Sequence, residues 1–424
     1  MKQSQSIIQQ PVYYGWKIVI ALLIILTFTS GLSFYNHAVI LNALSEQPAF
    51  TVKSASFAVT LFFLTAGIAG LGVAKLLAKF NPKFCIILGA VLSCISLVAL
   101  GFVHTTAQLY IVYMVFGVGF SASALIPATT LVARWFQRKR AVALSIASTG
   151  LSLGGVVITP VCAALVEQLG LPTAAPYMGF MYLLGVIPIA WFYIQPAPAD
   201  LGLHIDGAEP NKIDSTSPAN NKAIKIDGIS FQTAKNGKFF WGLGLSYIFL
   251  MMAQVGGIAH QYGLAKESLT ESQTVFALTI LPIASIIGRL IGGWLVSNMS
   301  IRVFALAMMT LQALSMIVLA FSEGLLTLCF GLAIFGVTVG NLLMLQPLLI
   351  AEAFGLLDYA KIFSMANLMS SWGTACGPMA LGLAYSLNNE TYTLAYLIAG
   401  LAGLIGLILF WMAGPVNQKS EIGN

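Results

Sequence analysis

Twelve stretches of this chain run for about 20 residues or more with scarcely a charge, and a chain so built has few ways to fold. They lie at about 16–41, 53–79, 84–103, 107–133, 141–168, 174–194, 238–262, 272–297, 302–322, 326–352, 361–386 and 391–412. The hydrocarbon core of a bilayer is roughly 30 Å thick, and a helix of about 20 apolar residues crosses it. In lipid every backbone N–H and C=O must find a partner within the protein, which leaves helices or closed barrels. Barrel strands are only about 9–11 residues long. The composition agrees: 8% of residues are charged, against about 25% in soluble domains. The expected fold is an all-α integral membrane protein of twelve spanning helices, numbered 1 to 12 along the chain.

Residues 195–237 interrupt the pattern. They are rich in Pro, Asn, Asp, Lys and Ser and have no helical period, which is linker composition. The linker divides the chain into a bundle over 1–194 and a second over 238–424, six runs each. The halves resemble each other. FAVT at 57–60 recurs as FALT at 276–279, Lys83 recurs as Arg302, and FGV at 116–118 recurs at 335–337, all at an offset of 219 residues. Parallel six-helix repeats with a site at their midplane interface are a transporter architecture.

A net charge of +6 suggests nucleic acid until its distribution is read. With the N-terminus on the linker side, seventeen Lys and Arg fall on that side; Lys53 and Lys266 alone fall on the other. That bias places both termini and the linker in the cytoplasm and makes the bilayer the partner, not nucleic acid. The first run follows a polar leader and is too long for a signal peptide. The five cysteines are scattered through apolar runs without metal-ligand or redox spacing, and no cofactor is expected.

One cation remains. Arg289 stands inside LPIASIIGRLIGGWL, residues 281–295. If helix 8 ended before it, Val275 to Gly288 would reach only about 21 Å, short of the bilayer core. Arg289 therefore lies within the span, where a guanidinium costs about 2.5–3.5 kcal/mol on insertion scales and must face a wet cavity or a partner. The acidic residues fall at helix ends, in loops and in the linker, none at mid-depth. A ligand is then the simplest counter-charge, and the planar guanidinium fork suits a carboxylate.

Polar residues inside other runs mark a candidate pathway. Helix 1 carries Tyr35, Asn36 and His37; helix 4 carries Tyr113 and Phe120 on one stripe. Helix 7 carries Gln254 and Gln261 with His260 beside them, and helix 10 Asn341 and Gln346. Helix 11 carries Asn367, Ser371 and Thr374. Each has an alternative role as an interhelical hydrogen bond. His37 titrates near neutral pH when unperturbed. Pro160 in helix 5 and Pro378 in helix 11, each among glycines, are candidates for gating flexure or for close packing.

YYGWKIV at 13–19, ARWFQRKRAVALSIASTGLSLGG at 133–155 and GRLIGGWL at 288–295 resemble the monocarboxylate porter and oxalate–formate antiporter group of the major facilitator superfamily. The resemblance covers the chain outside the linker. It implies carriage of small carboxylates by alternating access, with Arg289 as anchor and a proton or counter-anion as possible companion. Three departures stand out. The loop between helices 2 and 3 reads AKLLAKFNPK, with Ala78 where the superfamily has an Asp, and the second copy has Ser297. Ser285 stands where animal monocarboxylate carriers have an Asp, which leaves His37 as the candidate proton carrier. Lys361 opens helix 11, whereas the oxalate exchangers have a lysine within it; one buried cation favours a monoanion.

The competing transport function is efflux of lipophilic or aromatic compounds, which needs an aromatic pocket and not Arg289. A membrane sensor would need a larger soluble output domain than this linker. An enzyme is not expected, since neither a zinc pattern nor a phosphate loop nor a nucleophile–base set is present. The expected setting is a bacterial inner membrane, and the expected state a monomer.

Overall fold

The apolar runs become helices whose ends fall where polar residues can cap them. The computed structural model describes residues 13–45, 47–207, 228–389 and 391–415. Helices 1 to 6 span Tyr14–Leu41, Val52–Lys79, Pro82–Leu100, Thr106–Trp135, Arg140–Leu169 and Leu171–Tyr193. Helices 7 to 12 span Lys238–Lys266, Glu271–Val296, Ile301–Ala320, Leu325–Phe354, Tyr359–Leu387 and Thr393–Met412. Helix 4 shows why an end falls where it does: Thr105 Oγ1 accepts from the Gln108 N–H (3.3 Å) while Gln108 Oε1 accepts from the Thr105 N–H (3.1 Å), a reciprocal cap on donors the helix leaves free. Among the described residues, eleven helices are long and apolar enough to cross a membrane. Helix 11 is equally long but carries Asn367, Ser370, Ser371 and Thr374 along its middle.

The same pairs pack in each half. Helix 1 lies on 5 and 6, helix 2 on 4, and helix 3 on 4 and 6; helix 7 lies on 11 and 12, helix 8 on 10, and helix 9 on 10 and 12. Small residues make these approaches possible. Gly117 of helix 4 sits against the Phe62 carbonyl of helix 2, and Gly336 of helix 10 sits against the Leu281 carbonyl of helix 8. Both members of this second pair lie 219 residues after the first, the offset read from the sequence. Gly150 meets the Leu23 carbonyl as Gly373 meets that of Ile248, and Gly154 meets Gly31 as Gly377 meets Gly256. These crossings recur at slightly different offsets because the connections before them differ in length.

The repeat is broken by three irregularities of the first half. Ser30–Phe34 of helix 1 and Gly154–Ile158 of helix 5 are π-helical turns that face each other. Ser30 Oγ ties helix 1 to helix 5 just before its π-turn by donating to the Leu151 carbonyl at 2.8 Å. Helix 4 kinks at Ala124, where the ring of Pro127 displaces the carbonyl one turn before it. Helices 7, 10 and 11 run on as α-helix through the corresponding places.

The outer surface is greasy. Leu184, Phe192, Leu326, Met379, Leu387 and Trp411 are among the most exposed side chains. Trp191, Trp241, Trp294 and Trp411 are exposed at the ends of helices 6, 7, 8 and 12 that lie toward the linker. Such a ring of tryptophan marks a membrane–water interface. Lys83 sits 5.5 Å from the Trp191 ring at that level. Lys2, Lys212, Lys222, Lys225 and Lys419, counted above on the linker side, lie outside the described residues.

Both described ends of the linker are held down. Asp206 accepts from the N–H groups of Gln137 (3.1 Å), Arg138 (2.7 Å) and Lys139 (3.4 Å), just before helix 5 begins. Burial, and then the Asp206 charge, push the neighbouring Tyr13 phenol up to about 12, so it stays a donor to the Trp135 carbonyl at 3.1 Å. At the other end the Ile229 N–H donates to the Phe354 carbonyl (3.0 Å) and the Phe231 N–H to Asp358 (2.9 Å). The Lys361 hydrogen bond, and then that of Phe231, hold the Asp358 carboxyl below its ordinary value. This hold on the linker is complete above the ordinary carboxylate pKa and is lost as pH falls through the lowered one. Asp206→Ala strips three backbone donors of their acceptor, and a lost helix cap costs about 0.5–2 kcal/mol. The variant is expected to melt a few degrees lower in detergent; an unchanged melt would show that the contact is idle.

Candidate functional site

The packing of helix 5 on helix 8 builds the site. Ser145, Ser148 and Ser152 share one face of helix 5, and Ser285, Gly288, Arg289 and Gly292 share one face of helix 8. Gly293 lies against Ser145, and Ser152 Oγ is 3.1 Å from Ser285 Oγ. These small residues bring two helices of different halves close enough to enclose an arginine side chain. Arg289 is fully buried there, not extended to the membrane surface.

Its guanidinium has three kinds of surroundings. Nε donates to the Gly340 carbonyl of helix 10 at 2.8 Å, and Nη1 donates across the halves to the Ser148 carbonyl of helix 5. Nη2 is buried without a hydrogen-bond partner. Tyr35 of helix 1 packs its ring on Gly155 of helix 5, one turn from Ser152, with its hydroxyl near Ser152. The partners of Arg289 are thus neutral carbonyls. The sequence could not foresee Ser148 and Gly340, because backbone groups carry no side-chain signature. The serine spacing of helix 5 was the available signal for Ser152.

The other candidates are dispersed. Asn341 lies beside the arginine, but its amide joins helices 10 and 8 by donating to the Gly288 carbonyl at 2.9 Å, and its Oδ1 is unpartnered. His37 sits in a separate aromatic cage: Phe62 at 4.3 Å, Phe63 at 5.7 Å, Phe116 at 6.0 Å, and Tyr113 stacked at 5.6 Å. Both His37 nitrogens and the Tyr113 hydroxyl are buried without partners. Asn36 turns away to helix 6, donating to Met178 Sδ at 3.2 Å. Gln254 is buried with an unpartnered Oε1, as is the Oε1 of Gln261. His260 Nε2 pairs with the Pro378 carbonyl at 2.9 Å, tying helix 7 to helix 11. Gln346 donates to Ser370 at 2.8 Å, and half-buried Asn367 offers its carbonyl to Ser371 at 2.8 Å. Thr374 bonds back to the Ser370 carbonyl at 3.1 Å. Pro160 follows the π-turn of helix 5 and is exposed, whereas helix 11 passes Pro378 unbroken. Lys361 pairs with Asp358 at 2.8 Å at the surface.

The sequence model of the Major Facilitator Superfamily matches residues 23–264 and again 238–423, one match for each half. The chain belongs to this superfamily. It is therefore a multi-pass membrane transporter and not an enzyme. Among superfamily members it resembles the monocarboxylate porters: it is 24% identical to monocarboxylate transporter 12 of Xenopus laevis over 364 residues, 80% of this chain and 75% of the relative. It also resembles the fujikurins efflux protein of Gibberella fujikuroi, 26% identical over 236 residues, 55% of this chain and 46% of that one. The crystal structure of the superfamily transporter FucP shares the fold, with a TM-score of 0.67 at 16% identity, covering 93% of this chain and 98% of that chain.

Proposed function

We propose that this transporter carries a small organic anion, most simply a monocarboxylate, by alternating access, with Arg289 as the carboxylate anchor. The observation that carries the reading is the buried guanidinium between the halves, with one N–H₂ unpartnered and only neutral acceptors on the rest. Leaving a buried polar group unpaired costs about 1–3 kcal/mol, more when it is charged. A carboxylate relieves that cost. It also competes with the Ser148 carbonyl for Nη1, exchanging a bond between the halves for a bond to the ligand. Substrate binding and release of the contact between helices 5 and 8 are then one event. Tyr35, Ser152 and Ser285 are further hydroxyl groups where helix 5 meets helices 1 and 8. Where a proton travels with the anion, His37 is the candidate carrier. The chain acts as a monomer, with both termini cytoplasmic, in an inner membrane.

The test is uptake of labelled lactate, pyruvate, formate and oxalate into proteoliposomes, with and without a proton gradient, against the matching amides as competitors. The acid is expected to saturate, and its amide to compete at least about tenfold more weakly. An amide that competes as well as its acid sinks the anchor. The relative named for efflux, together with the aromatic cage, keeps lipophilic efflux as the second reading. That reading predicts uptake or export indifferent to the carboxylate.

A further inference from the structure

Phe34, Tyr35 and Phe63 are only partly buried, although they sit within the spans of helices 1 and 2. Their rings form a connected layer. Phe34 lies edge-on to Tyr35 at 5.1 Å and edge-on to Phe63 at 5.6 Å. Phe63 continues to Phe62 at 5.1 Å, and Phe62 to Phe120 at 5.2 Å. A partly exposed ring within a span faces either lipid or a cavity. Helix 1 is covered on its other sides: Gly31 meets Gly154 of helix 5, Phe28 packs on Gly185 of helix 6, and His37 packs on Phe62 of helix 2. Tyr35 packs on Gly155 of helix 5, one turn from Ser152, and that helix meets Ser285 and Arg289 of the other half through Ser152 and the Ser148 carbonyl. The layer therefore turns toward the space between the halves, beside the guanidinium.

The repeat shows that this layer is not generic packing. In the second half, Ala259 stands three residues after Gly256 where Phe34 stands three after Gly31, His260, tied to the Pro378 carbonyl, takes the place of Tyr35, and Pro282 follows Leu281 where Phe63 follows Phe62. One half presents a cation and the other presents rings. A ligand that satisfies both has a carboxylate at one end and a flat apolar body at the other, since aromatic rings gain from edge-on and offset contacts beyond the area they bury. We infer that the substrate class is aryl carboxylates, with the carboxylate on Arg289 and the ring against Phe34, Tyr35 and Phe63. The inference rests on the anion-anchor reading. It also gives the two halves a shared ligand, because an acid as small as formate reaches the arginine alone.

Purified protein in proteoliposomes, and the same protein in detergent for calorimetry, would be given benzoate, phenylacetate, cyclohexanecarboxylate and acetate, beside benzamide. The aryl acids are expected to show a KM at least about tenfold below that of acetate and below that of the saturated ring acid. Phe63→Leu is expected to raise the KM for benzoate by several-fold more than that for acetate. Acetate handled as well as benzoate, with both lost on Arg289→Gln, overturns the aryl class and leaves the anchor standing. Benzamide handled as well as benzoate, unaffected by Arg289→Gln, removes the anchor itself. The absence of any binding heat with the aryl acids also overturns the inference.

Discussion

Arg289→Gln is expected to lower kcat/KM for the transported acid by about a hundredfold or more while leaving the protein folded. A hydrogen bond to a charged group is worth about 1.5–3 kcal/mol. A bidentate carboxylate uses two, so their loss comes to about 3–6 kcal/mol, and each 1.4 kcal/mol is about tenfold. Glutamine sets its amide nitrogen where Nε stands, within reach of the Gly340 carbonyl, and it gives up the bond to the Ser148 carbonyl while removing a charge that is buried with Nη2 unpartnered. Removing an uncompensated buried charge stabilises and leaving the Ser148 carbonyl without its donor costs about 1–3 kcal/mol, so the two offset. The melting temperature should therefore change little while transport falls, a combination that misfolding cannot produce. Arg289→Lys separates charge from geometry. It keeps the cation but loses the planar fork, and about tenfold of the activity should go with it. Both kinetic constants would be measured in proteoliposomes on protein shown to be monodisperse. Wild-type kinetics in the glutamine variant would end the anchor role and favour a neutral or lipophilic substrate.

What was legible beforehand follows from which physics writes itself into side chains. The bilayer fixes the length of a span, so the ends of the twelve runs fall within a few residues of the helix ends. The 219-residue offset was legible because Gly117 and Gly336 hold identical crossings against Phe62 and Leu281. Arg289 was legible because a cation in an apolar run has no solvent to excuse it. Its partners were not, because the Ser148 and Gly340 carbonyls look like any other backbone. For Asn341 and His260 the sequence leaves open a pathway role or a bond between helices, and each has a partner on a neighbouring helix, the Gly288 and Pro378 carbonyls; polarity alone does not tell a lining side chain from a tie between helices. The loop between helices 2 and 3 lacks the superfamily's acid, with Ala78 in its place. The acid that holds the helix 4–5 loop, Asp206, comes from the linker, and only tertiary packing brings the two together.

The second large effect concerns glycine. In a helix Gly→Ala ordinarily stabilises by about 1 kcal/mol, and Gly72, with open space around it, should follow that rule. Gly150→Ala and Gly373→Ala should reverse it. A methyl group at Gly150 runs into the Leu23 carbonyl, and one at Gly373 runs into that of Ile248. Backbone atoms of a packed helix cannot swing aside as a side chain does, so helices 1 and 5, or 7 and 11, must separate. Overpacking costs about 1–3 kcal/mol and sometimes more, and here it also opens the crossings at Gly154 and Gly377 one turn along. The loss would be read as the rate of thermal inactivation in detergent, since a chain of this size unfolds irreversibly. The two variants should lose stability by similar amounts because they occupy one place in the repeat. They should differ in transport, because only Gly150 lies on the helix that also carries Ser148 and Ser152 to the arginine. Equal stability in all three alanine variants would mean that the crossings are looser than drawn. Equal transport at positions 150 and 373 would uncouple the helix 1–5 crossing from the anion site.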